Sequence, residues 1–160
     1  MIEFQTLALV DTLQAAYIRS LNSKDMKGWL ACFAPGNGQY ECRTSESDEQ
    51  DLHLPLMLDD CYARLQDRVL FITEVWSGTY TDYATRHFVQ RISAQRGADG
   101  LYQVTTNFMV AYTTARRQTE ILVAGRYEDD IAVDKTAATF VRKRAILDTI
   151  TTPRYLVYPI

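Results

Sequence analysis

The fold is decided by four strand-like stretches, TRHFVQRISAQ (85–95), LYQVTTNFMVAYTTA (101–115), QTEILVAGRYEDDIAV (118–133) and ATFVRKRAILDT (138–149). Each is rich in Val, Ile, Thr, Tyr and Phe and partly alternates apolar with polar residues, as a strand with one buried face does. Short polar links separate them, and GADG (97–100) is the strongest turn signal. A run of hairpins predicts an antiparallel, strongly twisted sheet.

The chain before these strands has helical periodicity. Apolar residues recur at steps of three and four, so one face of the predicted helix carries Phe4, Leu7, Val10, Leu13, Tyr17, Ile18 and Leu21. We expect this helix to stop near Asn22. Ser23 is the expected cap of a second helix, with Asp25 in its first turn, and Pro35–Gly36 should end it.

The segment between the helices and the long strands is mixed. We predict a short strand at 38–44 with Tyr40 and Cys42 on one face, and an exposed, mobile acidic loop at 44–51. A helix is expected from Leu54 to about Leu70, burying Leu58, Cys61, Tyr62 and Leu65. Helices followed by long antiparallel strands predict an α+β fold, with N-terminal helices packed in a strongly curved sheet and a single domain over 1–160.

Composition restricts the function. The chain of 160 residues has a net charge of −3, which argues against a nucleic-acid binder. Cys32, Cys42 and Cys61 are widely spaced and odd in number, which favours reduced, buried thiols in a cytoplasmic protein. The N-terminus has no leader pattern and no apolar run approaches the ~20 residues that span a membrane. We therefore expect a cytoplasmic protein with no nucleic-acid or membrane partner.

Short motifs occur in a fixed order along the chain: Asp67-Arg68-Val69, Arg86-His87, Asn107-Phe108, Gly125-Arg126-Tyr127 with Asp129, Arg144 with Asp148, and Tyr158-Pro159-Ile160. After an aromatic-rich helical start, this order resembles the small (β) subunit of aromatic-ring-hydroxylating oxygenases. The resemblance implies a cone-shaped sheet like that of nuclear-transport-factor-like proteins and ketosteroid isomerase. It also implies a structural rather than a catalytic role.

The resemblance implies a partner that holds the cofactors. Family members join three iron-bearing large (α) subunits to three small ones, and NADH supplies electrons through a reductase, sometimes with a ferredoxin. The Rieske 2Fe–2S cluster and the mononuclear Fe(II) lie in the large subunit. The ending and the short acidic loop look most like small subunits that support attack on carboxylated or amino-substituted benzenes.

The chain itself lacks the ligands for either iron site. A Rieske cluster takes two Cys and two His, whereas this chain has only His53 and His87 and no Cys-x-His pair. Mononuclear iron needs two His and a carboxylate on one face, and the sequence does not bring these together. No phosphate-binding loop or hydrolase motif occurs either. We expect no catalytic, cofactor-binding or metal-binding residue here.

Six residues are the candidates for subunit contacts: Arg86, His87, Arg142, Arg144, Tyr155 and Tyr158. Arg86–His87 either bonds across an interface or is an ordinary strand pair with a half-buried histidine. Arg142 and Arg144 form either an interface ion-pair network or a solvated strand face. The apolar ending, 153–160, should dock on this chain's own sheet or on a neighbour's.

Two further residues carry structural predictions. Arg68 is expected to bind a carboxylate or carbonyl bidentately and to hold its helix on the sheet. Gly125 should mark a bulge that curves the sheet, or a close approach of backbones; a ligand there is the minor alternative.

Two other functions stay open. A stand-alone cone-fold isomerase or dehydratase would need an acid or base in an apolar pocket, for which Tyr17, Glu41 and His87 are the possible residues. Alternation places Glu41 opposite Tyr40 and Cys42, which argues against it. A non-catalytic module that binds an apolar ligand in the cone mouth would also fit the aromatic content.

Overall fold

The computed structural model describes residues 2–160 and has the α+β architecture expected. Its helices are α1 (Phe4–Ser23), α2 (Met26–Ala31), α3 (Ser45–Glu49) and α4 (Tyr62–Leu70), and α4 continues into a π-helical turn (Phe71–Val75). Its strands are β1 (Gln39–Thr44), β2 (Met57–Asp59), β3 (Ala84–Arg96), β4 (Tyr102–Thr113), β5 (Thr119–Val133) and β6 (Ala138–Leu147). The four long strands confirm the predicted ones to within two residues at each end.

One sheet of six strands has the order β2-β1-β6-β5-β4-β3. All neighbours are antiparallel except β1 and β6, which run parallel. The register shifts once within each long hairpin, at Arg91/Ser93, Val110/Ala111 and Asp130/Ile131. Such irregularities bend a strand and increase its twist, so they curve the sheet around α1, which contacts β3, β5 and β6.

The core lies between α1 and the concave face of the sheet. Helix α1 buries Val10, Leu13, Tyr17 and Leu21, which confirms the predicted face, while Phe4 at its start is exposed. Tyr40 and Cys42 are buried side by side on β1, and Glu41 between them faces outward, as alternation predicts. Aromatic rings fill much of this interior.

The predicted cap of the second helix was wrong. Helix α1 runs on to Ser23 and ends at Lys24, whose φ of 62° is left-handed. Asp25 then caps α2, because its Oδ1 accepts a hydrogen bond from the Gly28 N–H at 2.9 Å. Ser23 is the last residue of α1 and its hydroxyl donates to the Arg19 carbonyl oxygen, whereas Asp25 directly precedes α2 and is placed to cap it.

The acidic segment at 44–51 is helical rather than an exposed loop. Thr44 Oγ1 accepts a hydrogen bond from the Ser47 N–H at 3.2 Å and so caps α3. Acidic residues occupy the first turn, where they favour the helix dipole, and Ser47 is buried. A cap and two favourable charges therefore outweigh the polar composition of the segment.

The helix predicted from Leu54 begins only at Tyr62. Residues Met57–Asp59 instead form β2, which pairs with β1 at the edge of the sheet. Leu65 is buried as expected, but Leu58 is exposed because it lies on the outer side of β2, and Cys61 is exposed ahead of α4. Pairing with β1 decides this segment, and local periodicity does not contain that information.

Gly125 does not form the predicted bulge. It pairs in register with Phe108 on β4 and with Leu147 on β6. A Cβ atom at this position would lie 2.0 Å from the carbonyl oxygen of Ile146. Glycine is therefore needed for the close approach of two backbones, the other role expected of a glycine inside a strand.

No helix within residues 2–160 has both the length and the apolar character to cross a membrane.

Candidate functional site

The interior of the cone holds a fully buried ion pair. Lys143 on β6 and Asp129 on β5 are directly opposite in the strand register, and neither side chain has any solvent exposure. The Lys143 Nζ donates to Asp129 Oδ2 at 3.0 Å and to Gln14 Oε1 of α1 at 3.3 Å. It also lies over three aromatic rings, at 3.7 Å from the ring centre of Tyr127, 4.3 Å from that of Phe140 and 4.5 Å from that of Tyr17.

Burial dominates the titration of this pair. It raises the pKa of Asp129 to about 6 although Lys143 pulls the pKa down, and it lowers the pKa of Lys143 although Asp129 pulls that pKa up. The ammonium, the carboxylate and the rings are closed off from solvent. The pair therefore supports the sheet from inside and offers no acid or base to a substrate.

Residues 157–160 pack into the hydrophobic core. Residues 157–160 are buried, and the Tyr17 hydroxyl donates to the Ile160 carbonyl oxygen at 2.6 Å. The Tyr40 hydroxyl accepts a hydrogen bond from the Ile160 N–H at 2.9 Å. Of the two predicted docking places for this segment, the structure shows the chain's own core.

Tyr158 and Tyr155 differ in their surroundings. The Tyr158 hydroxyl lies 2.6 Å from that of Tyr80, and the Lys24 Nζ lies 3.9 Å from the centre of the Tyr158 ring. Tyr158 is thus buried against its own chain, whereas Tyr155 is exposed.

The three residues of the stand-alone enzyme hypothesis do not meet in one pocket. Tyr17 is buried on Ile160, and Glu41 faces the opposite side of the sheet. His87 is largely buried, with its Nδ1 at 2.7 Å from Asn22 Oδ1. Burial, helped by Lys24, lowers the pKa of His87 to about 3, so this imidazole is neutral in the folded chain at ordinary pH.

An ion-pair network covers part of the outer face of the sheet. Asp48 of α3 binds Arg144, and its Oδ2 lies 3.1 Å from Arg126 Nη2. Arg144 also reaches Glu128 at 2.7 Å and Glu41 at 3.4 Å. Sequence analysis placed Arg144 on this face but missed Asp48, because the segment that carries it was interpreted as a loop.

The other predicted polar residues do not share an ion pair with this network. Arg142 is exposed and binds Asp130 at 2.9 Å, and Arg86 is exposed on β3. Arg68 binds Asp59 through both its Nε and its Nη2, the latter at 3.0 Å, which confirms the bidentate contact predicted for it. This pair holds α4 on the edge strand β2.

The donor set does not fit a metal centre in the described part of the chain. Among residues 2–160 no group of three or more His, Cys, Asp or Glu side chains is arranged to hold a metal ion. His53 is exposed in the segment before β2, and His87 is held by Asn22 on β3. These two histidines do not converge with two cysteines, as a Rieske cluster would require.

Comparison with known proteins gives a consistent result. Residues 17–154 match the family model described as the ring-hydroxylating β subunit. The chain is 26% identical over 150 residues to the anthranilate 1,2-dioxygenase small subunit of Burkholderia cepacia, covering 92% of this chain and 90% of that protein.

Solved structures share the fold. A protein assigned as the β subunit of an aromatic-ring-hydroxylating dioxygenase of Novosphingobium aromaticivorans DSM 12444 superposes with a TM-score of 0.79 at 21% identity, covering 90% of each chain. The β subunit of benzoate 1,2-dioxygenase of Burkholderia mallei ATCC 23344 gives a TM-score of 0.67 at 22% identity, covering 92% of this chain and 91% of that one.

Proposed function

Because the chain belongs to the ring-hydroxylating dioxygenase β-subunit family, we propose that it is a non-catalytic subunit that supports the assembly of a terminal oxygenase. The observation that carries this proposal is the filled cone. The interior is occupied by the Lys143–Asp129 pair and by residues 157–160, where a cone-fold isomerase or dehydratase would need an open acid–base pocket.

The partner is a large (α) subunit that carries the Rieske cluster and the mononuclear iron. Two histidines that lie apart supply neither ligand set in this chain, so the chemistry belongs to the partner. We place the two subunits in a three-plus-three hexamer that receives electrons from NADH through a reductase, with or without a ferredoxin. The cytoplasm is the proposed location, where Cys32, Cys42 and Cys61 would stay reduced.

The substrate is proposed to be a benzene that carries a carboxyl or amino group. The support is the similarity to a small subunit of anthranilate 1,2-dioxygenase and the shared fold with a benzoate 1,2-dioxygenase subunit. The large subunit selects the substrate in this proposal, so the experiment that identifies the partner also decides the substrate class.

The six candidate contact residues remain a proposal, and their surroundings divide them. Arg86, Arg142 and Tyr155 are exposed and available to a neighbouring subunit. His87, Arg144 and Tyr158 make contacts within their own chain, so we propose that they shape the surface rather than touch a neighbour.

The test is purification of the native protein from its own cells, with mass spectrometry and iron analysis of the chains that accompany it. We expect an iron-containing chain more than twice as large, in equal amount. A homodimer that contains this chain alone would contradict the proposal and would make Tyr17, Glu41 and His87 the first residues to mutate.

A further inference from the structure

Exposed apolar side chains occur in two sets, one on β3 to β5 (Phe88, Val89, Ile92, Met109 and Ile121) and a larger one at the opposite end of the sheet, around β2 and α4. Four leucines occupy every second position from Leu52 to Leu58, and Leu70, Phe71, Val75 and Trp76 follow on α4 and its π-helical turn. We call these eight side chains the β2-end surface. All are 39% to 68% exposed, and they make up half of the large exposed apolar side chains in the described part of the molecule.

The β2-end surface flanks an unpaired strand edge. Strand β2 is the last strand of the sheet, so one of its edges has no partner strand among the described residues. Leu58 lies on its outer side, while α4 packs on the side of Asp59, which binds Arg68. An unpaired strand edge with apolar side chains on both sides is a surface to which another protein can bind.

The two aromatic residues form a cleft beside this edge. The ring centres of Phe71 and Trp76 are 5.8 Å apart, and with Arg64 and Asp67 these rings line a cavity of about 240 Å³ above the Arg68–Asp59 pair. Trp and Arg are enriched at the energetically dominant positions of protein interfaces, and Phe is enriched in interfaces generally.

The size of this surface fits a stable interface. An apolar side chain of this kind presents on the order of 180 Å² when fully exposed, so eight that are about half exposed present roughly 700 Å². One partner of a standard interface contributes about 800 Å².

The charge around the β2-end surface indicates which partner it fits. Residues 45–76 contain eight Asp and Glu, two Arg and no Lys; Asp48 and Asp59 among them are paired with arginines. Asp51, Asp60, Asp67 and Glu74 are all exposed there. A second copy that used the same surface would bring like charges together, so the charge favours a different protein with an apolar surface bordered by Lys and Arg.

We propose that the β2-end surface is the docking site for the large subunit, through an apolar, basic-rimmed face of that subunit. This inference rests on the proposed function and names its contact surface. Phe71 and Trp76 are its anchors, and the acidic rim steers association and makes it sensitive to salt.

The test compares Phe71→Glu with Phe4→Glu, the same change at an exposed phenylalanine at the start of α1, away from the proposed contact. Each variant is co-expressed with the large subunit, the complex is purified through a tag on that subunit, and its dissociation on dilution is followed by mass photometry. We expect Phe71→Glu to raise the concentration of half-dissociation at least about tenfold. Phe4→Glu should leave it within about twofold of the wild type.

A second variant covers the case in which Phe71→Glu disturbs the fold. Leu54→Glu changes the most exposed leucine of the surface and should weaken the complex in the same direction. Circular dichroism of each isolated variant checks the fold. The protein concentration at which half of the wild-type complex is dissociated should also rise when the salt concentration is increased from about 50 to about 500 mM, because salt screens the attraction between the charged rims.

Three outcomes would overturn the inference. The first is that the Leu54→Glu variant and a correctly folded Phe71→Glu variant each form a complex with the large subunit that is as stable as the wild-type complex. The second is that both variants still bind the large subunit but no longer bind other copies of this chain. If instead the wild-type chain binds no iron-bearing subunit at all, the proposed function fails, and this docking site fails with it.

Discussion

Replacing Lys143 with methionine is expected to lower the free energy of unfolding by about 3–5 kcal/mol, because it leaves a buried carboxylate without its counter-charge. Both side-chain hydrogen bonds to Asp129 come from the Lys143 Nζ, at 3.0 and 3.2 Å. Methionine keeps most of the length of the lysine chain and can still pack among the aromatic rings. The loss therefore measures the cost of leaving the Asp129 carboxylate, and the Gln14 Oε1 that also accepts from Lys143, without their donor, rather than the cost of a cavity.

The double variant Lys143→Met, Asp129→Leu separates the charge effect from packing. Replacing a whole buried pair by apolar groups of similar size is often neutral or stabilising, so the double variant should recover most of the lost stability. Urea unfolding, followed by the fluorescence of Trp29 and Trp76, gives the free energies for the cycle. A loss below about 1 kcal/mol in the single variant, or additive losses in the double variant, would refute the reasoning.

The pH dependence provides a second check on the same pair. The folded pKa of Asp129 is raised to about 6, above the value of ~3.9 of an unfolded aspartate. Its contribution to stability is therefore fully present below about pH 4 and is lost as the pH rises through about 6. Removing Lys143 raises this pKa further, so the loss caused by Lys143→Met should be larger at pH 7 than at pH 5.

Two other substitutions test separate features. The pKa of His87 is lowered to about 3, so the unfolded chain takes up the proton first and the free energy of unfolding decreases as the pH falls from about 6.5 towards 3. In urea titrations at pH 7 and pH 5, the His87→Gln variant should lose less stability between the two pH values than the wild type. An equal loss in the two proteins would contradict the burial argument. Gly125→Ala places a methyl group 2.0 Å from the Ile146 oxygen and should cost about 3 kcal/mol, the upper end of the usual range for overpacking, because two strand backbones must move apart. Gly36→Ala is the control, because an added Cβ there has no atom within 4 Å and only the φ of +74° is unfavourable. We expect it to cost about 1–2 kcal/mol in thermal melts. Equal costs at the two glycines would contradict the close-approach explanation.

The long strands and α1 were predictable because each carries a strong pattern over ten or more residues. Strands β4 and β5 alternate buried with more exposed residues, and α1 repeats its apolar residues with a helical period, so local sequence and tertiary packing agree there. The bidentate contact of Arg68 was also predictable in kind. Its partner Asp59 was not, because the sequence around it was interpreted as part of a helix.

Two short elements, β2 and α3, were mispredicted for a physical reason. Strand β2 has only three residues and exists because β1 offers an edge to pair with, while α3 depends on the Thr44 cap. The exposed leucines from Leu52 to Leu58 follow a two-residue period, which is typical of an extended segment rather than a helix. That alternation was the signal available for the β2-end surface.

For the buried ion pair, the alternation of residues along each strand predicts which side of the sheet the two side chains face, but it does not predict that they pair. Lys143 lies between two outward arginines, and Asp129 lies between two outward acids, so the period of two already turns both charges toward the core. Only the register of β5 against β6, which the shift at Asp130/Ile131 adjusts, places them opposite each other. A change in this register by one residue would bury an unpaired charge, so the pair also selects the correct pairing.

The closed interior and the β2-end surface support the same function from opposite sides. Lys143, Asp129 and residues 157–160 fill part of the interior of the cone, and a neighbouring subunit would contact its outer surface. That surface has a neutralised ion-pair network around Arg144 and an apolar end with an acidic rim. Exposed apolar side chains bordered by polar residues are typical of protein interaction sites, so the β2-end surface supports the proposed contact with a partner subunit.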